Sequence, residues 1–136
     1  MAINVRSVTA LLEVFDMPTS IAFYRDILGF EIIQSSGEDF YWAMLKLGGA
    51  TLMLNTAYDE GERPPEADPG RVSGHADTEL FFDCPNIDEV YAHLCAKGCD
   101  VRRPETTDYG MRQVWAKDPD GFQICFQCSS EPNPLP

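Results

Sequence analysis

One structural unit is written twice along this chain, and that repetition restricts the fold more than any other feature. In the first copy, residues 7–15 alternate as a strand does, 18–28 carry apolar residues at helical spacing, and 30–35, 40–47 and 50–55 read as three further short strands. The second copy repeats the order: a strand over 78–84, a helix over 86–97, and strands over 100–103, 111–117 and 122–128. Each helix carries its own start and stop. Asp16 can accept backbone N–H bonds ahead of Pro18, and Gly29 supplies the left-handed exit; Asn86 with Glu89 forms a capping box, and Gly98 ends the second helix. The inward faces are Ile21, Phe23, Tyr24, Ile27 and Leu28 in the first helix, and Ile87, Val90, Tyr91 and Leu94 in the second. A unit this long, present only twice, is an internal duplication rather than a solenoid.

A chain of 136 residues supports one core, so the two copies are expected to form a single domain. Its parts are module 1 over about 7–56, a connector over 57–75, module 2 over 76–128 and a loose tail over 129–136. The connector is polar and rich in proline, glycine and acids; a mobile lid is one reading, a solvated link the simpler one. Asp118, Pro119, Asp120 and Gly121 make a tight hairpin between the last two strands.

The net charge of −12 repels phosphate backbones and anionic lipid, which excludes nucleic acid and membrane surfaces as partners and favours cationic ligands. The same acidity also serves plain solubility. No apolar run has the length of a membrane span and the N-terminus lacks the regions of a signal peptide, so the chain reads as cytoplasmic. Five cysteines, an odd number, point to reduced thiols. Cys125 and Cys128 form a C-x-x-C, but on a strand this pair points to opposite faces, which removes a redox or zinc role. His75 reads as a loop residue and His93 as an exposed position on the second helix.

The segment SIAFYRDILGFE, from Ser20, together with GMRQVWAKDPDGF, from Gly110, resembles the vicinal oxygen chelate superfamily, the group of glyoxalase I, bleomycin-resistance proteins and extradiol dioxygenases. The resemblance implies an α+β fold of two tandem βαβββ modules whose sheets curl into a cup, and a homodimer. It does not fix the function, because this scaffold hosts lyases, isomerases, dioxygenases and metal-free drug-binding proteins. Metal-dependent members take two ligands from each module. Matched to those positions stand Thr9, Met53, Glu79 and Cys125, of which only Glu79 is an oxygen ligand of the usual type. No metal and no other cofactor is therefore expected.

Strand parity puts Thr9, Leu11, Met53, Glu79, Phe81, Gln123, Cys125 and Gln127 on the cup side, with Trp42, Trp115 and Arg112 as further candidates. Such a surface suits a flat small molecule, although aromatic residues also serve as filling. Glu79 is the most informative residue. In an apolar cup it would be an anchor for a cation or a general base, and elsewhere a salt-bridged structural group. The leading expectation is a metal-independent small-molecule-binding protein resembling the bleomycin-resistance members, holding a cationic or aromatic compound. The alternatives are a lyase or isomerase with Glu79 as base or a non-standard metal, and a ligand-free dimeric interaction module.

Overall fold

The computed structural model describes residues 2–37 and 41–130. Phe40, the expected start of one strand, and most of the expected tail lie outside the described residues. Contacts divide the chain into two compact units, Met1–Pro65 and Glu66–Pro136, and the division falls within the expected connector.

The first unit contains β1 (Ala10–Val14), α1 (Met17–Ile21) continuing as a π-helical stretch (Ala22–Ile27), β2 (Glu31–Ser35), β3 (Trp42–Leu47) and β4 (Ala50–Thr56). The sheet order is β1-β4-β3-β2, with β1 parallel to β4 and the other pairs antiparallel. Leu12, Val14, Ala43, Leu45, Leu52 and Leu54 are buried, as are Ile21, Phe23 and Tyr24 of the helical segment. Asp16 caps α1 as expected, accepting from the Thr19 N–H at 3.2 Å. The expected regular helix is corrected in its second half. The Leu28 N–H reaches back to the Phe23 carbonyl, a π-type bond, and the Phe30 N–H to that of Tyr24. Two bulky neighbours in sequence, Phe23 and Tyr24, are both buried here and meet edge to face at 5.0 Å, with Phe30 on the other side of Tyr24 at 5.8 Å. The widened turn accommodates this stack.

The second unit contains α2 (Pro69–Gly74), a 3-10 turn (His75–Asp77), β5 (Glu79–Asp83), α3 (Ile87–Ala96), β6 (Glu105–Thr106), β7 (Met111–Lys117) and β8 (Gln123–Ser129). Its sheet repeats the first in order and sense, β5-β8-β7-β6 with β5 parallel to β8. Val114, Ala116, Ile124 and Phe126 are buried from the sheet, Ile87 and Leu94 from α3.

Several expectations are corrected in this unit. The connector is not all loop: Asp68 caps α2 through the Gly70 N–H at 3.0 Å, and Pro69 occupies its first turn. The strand expected over 100–103 is reduced to one bridge, Val101 to Ala116, and true pairing resumes only at Glu105. Pro104 stands between them and cannot donate to a ladder. Asn86 does not cap through its side chain; its amide accepts from the Cys84 thiol at 3.0 Å and donates to Glu89 at 3.2 Å. His75 is a packed residue rather than a loop one, stacked on Phe122 at 4.0 Å with Nδ1 at 2.7 Å from the Asp120 carbonyl oxygen. The tail begins in order: Ser129 belongs to β8, and the Ser130 N–H and hydroxyl both donate to the Gly110 carbonyl.

The hairpin between β7 and β8 is heavily tied. The buried Asp118 carboxylate accepts from the N–H groups of Asp120 and Phe122, each at 2.9 Å, while Arg71 of α2 pairs with Asp120 at 2.9 Å. Gly121 has φ +88°, and a Cβ there would lie 2.5 Å from the Val72 carbonyl oxygen. Glycine is thus required both by the turn and by the approach of α2.

Candidate functional site

In each sheet one face is buried by apolar side chains and the other carries the candidate residues. The register fixes membership. In the first unit Leu11 pairs with Met53, Met53 with Met44, and Trp42 with Asn55, so Leu11, Trp42, Met44, Met53 and Asn55 share a face. Thr9 joins them through a hydroxyl bond of 2.8 Å to Thr51. Leu11 remains 47% exposed.

In the second unit Glu79 pairs with Gln123, Phe81 with Cys125, Trp115 with Cys125, and Gln113 with Gln127. These residues form one surface opposite the buried face. Phe81 is 48% exposed and meets Trp115 edge to face at 5.3 Å. The Trp115 indole donates to Gln113 at 3.1 Å; the Gln113 amide donates to Gln127 at 2.9 Å and to the Tyr109 hydroxyl at 3.3 Å. Gln113 is buried, so this chain of bonds satisfies its amide and holds the indole in one orientation. The Arg102 guanidinium lies over the Trp115 ring at 5.4 Å. Beside it opens a cleft of about 390 Å³ lined by Asp100, Arg102, Trp115, Lys117 and Gln123.

Glu79 is exposed and, among the described residues, has no ion-pair partner. Burial in an apolar surround is therefore not what the second unit gives it. Cys125 is fully buried; loss of solvation, and then the neighbouring Glu79 carboxylate, push its thiol up to about 11. It is a neutral thiol at ordinary pH.

Arg112, expected near the rim, is corrected. It is three residues from Trp115 on one strand and points to the opposite side, pairing with Asp88 at the start of α3 at 2.7 Å. That hydrogen bond holds the Asp88 carboxyl below the usual range. The candidate face carries two cations, Arg102, whose backbone N–H bonds to the Trp115 carbonyl, and Lys117, which pairs with Gln123 beside Glu79. Sequence reasoning passed over Arg102, Tyr109 and Gln113. Gln113 was readable, having the same parity as Trp115; Arg102 and Tyr109 lie on irregular segments where parity gives no signal.

The four positions matched to the metal ligands lie on the candidate faces of their sheets, but their chemistry does not suit a divalent ion. The Thr9 hydroxyl is engaged with Thr51, Met53 offers a thioether and Cys125 a buried thiol, leaving one carboxylate.

A repeated βαβββ unit, each with a parallel outer pair and three antiparallel strands, defines a fold class, and sequence comparison names it. The chain belongs to the Glyoxalase/Bleomycin resistance protein/Dioxygenase superfamily, whose sequence profile matches residues 6–126. No curated protein matches it. Among solved structures it is similar to SMU.1112c, with 25% identity over 92% of this chain and 100% of that one and a TM-score of 0.71. It is also similar to TnmS3, an antibiotic binding protein from Streptomyces sp. CB03234, with 24% identity, coverage of 95% and 100% and a TM-score of 0.71. A bleomycin resistance determinant encoded on transposon Tn5 matches with 20% identity, coverage of 93% and 100% and a TM-score of 0.70. At these identities the last two likenesses establish the fold.

Proposed function

We propose that this chain is a small-molecule-binding protein that receives a cationic, partly aromatic compound on the open face of its second sheet, without a metal. The observation that carries this reading is the Phe81–Trp115 edge-to-face pair with Phe81 half-exposed and, on the same face, the Glu79 carboxylate, which has no ion-pair partner among the described residues. A flat ring can extend the aromatic pair, the amides of Gln123 and Gln127 offer hydrogen bonds at its edge, and Glu79 meets its charge. Arg102 already lies over the indole, which makes Trp115 a surface that accepts cations. The antibiotic-binding and bleomycin-resistance proteins of the same fold support the class of ligand.

The half-exposed Leu11 is a surface that a homodimer would cover, and a dimer is part of the proposal. The test is a fluorescence screen of cationic and neutral aromatic compounds against the chain and its Trp115→Phe and Trp42→Phe variants. The expected result is a ligand-dependent change lost only with Trp115. A screen in which every response follows Trp42, or none occurs, contradicts the reading, and light scattering at micromolar concentration decides the dimer.

A further inference from the structure

A second cleft, of about 310 Å³, lies in the first unit where β1 and β4 end. Its walls are the rings of Phe15, Tyr41 and Tyr58, and Asp59 and Glu60 stand at its rim. Phe15 and Tyr58 meet edge to face at 5.9 Å, and the Tyr41 hydroxyl donates to Glu60 at 3.1 Å. Into this cleft the chain turns its own cation. The Arg63 guanidinium sits 5.3 Å over the Phe15 ring and is paired with Asp16. The turn that delivers it is closed by the Glu62 N–H on the Asp59 carbonyl and needs the positive φ of Gly61.

Aromatic faces beside carboxylates are the chemistry that selects an organic cation. Asp16, Asp59 and Glu60 exceed the single Arg63 in charge. The Arg63 side chain is 49% exposed, so its contacts are screened and easily given up. Its departure would strand no carboxylate, because Asp16 keeps its bonds from the Thr19 N–H and hydroxyl. We infer that this cleft is a site for a small guanidinium or amine carried on a flat apolar body, and that Arg63 is an internal occupant which such a ligand displaces.

The site is independent of Glu79 and of the second sheet, so its test is separable from that of the proposed function. Benzylguanidine is titrated into the full chain, with benzyl alcohol as the neutral counterpart, by calorimetry and by amide and ring chemical shifts. Benzylguanidine should perturb Gly61 and Tyr58, and Arg63→Ala should tighten it by about two- to fivefold, since a competing exposed pair is removed. Arg63→Gln, which keeps the stem and the turn, should do the same, and Glu60→Gln should weaken it about threefold. Glu79→Gln should leave these shifts unchanged. Weaker or equal binding in both Arg63 variants, equal binding of benzyl alcohol, or no perturbation at Gly61 and Tyr58 in any form would overturn the inference.

Discussion

The two modules share a sheet order but use it differently. In the first, the open face sets the exposed Glu13 carboxylate among Thr9, Leu11, Trp42 and Met53; in the second the Glu79 carboxylate shares its face with a fixed indole and a bonded set of amides. Their helices differ too, a short α-turn that widens into a π-helix against a regular α3. So do their hairpins: Gly48 projects into open space, whereas Gly121 is pressed against α2. The duplicated pattern thus specifies pairing and burial. What each module can bind depends on residues that the folding pattern leaves free.

The contrast between faces is the sharpest to break. Leu54 and Met53 are neighbours on β4 that point to opposite sides. Leu54→Ala, at a fully buried position, should cost about 2–5 kcal/mol in urea denaturation, and Met53→Ala less than about 1 kcal/mol. Similar losses would mean that the open face is core. The hairpins come next. Gly48→Ala should cost about 1–2 kcal/mol for its positive φ, while Gly121→Ala should cost about 2–4 kcal/mol because it adds a clash with the Val72 carbonyl. Equal costs would show that α2 does not press on the turn.

Acid sensitivity should be a smaller effect and common to both modules. Asp16 is lowered chiefly by the Thr19 hydroxyl, with Arg63 adding to it, and Asp88 by Arg112. A carboxylate depressed by folding stabilises above its unfolded value of about 3.9 and loses that stabilisation as pH falls through the folded one. Melting temperature should therefore drop below pH 4, and less steeply in Asp16→Asn. Cys125 has the opposite sign: with its thiol raised, its contribution holds below about pH 8.5 and fades as pH climbs towards 11. A thiol reagent at pH 8 should modify the exposed Cys95 and spare Cys125, and rapid labelling of both would refute the burial.

Much of the fold was legible because its signals are local. Asp16, Gly29 and Gly98 mark helix ends, and β7 falls where its alternation put it. The helix in the connector was legible as well, since Asp68 followed by Pro69 is a start signal, but the surrounding acids and prolines obscured it. The π-helix was not, because it depends on burying Phe23 and Tyr24 together, a tertiary demand. Parity read the candidate faces well and also contained its own correction: Arg112 and Trp115 are an odd number of residues apart and could not both face the same way. The cleft around Arg63 was invisible to parity, being assembled from strand ends and a turn.

The central claim is that Glu79 gives the second module its preference for cations. Calorimetry of a cationic aromatic compound and its neutral isostere, against the chain and Glu79→Gln, tests it directly. Because Glu79 is solvent-exposed, the loss for the cation should be about tenfold, the lower end of a charge-assisted contact, with almost none for the isostere. Equal binding of the cation by both forms would contradict the account.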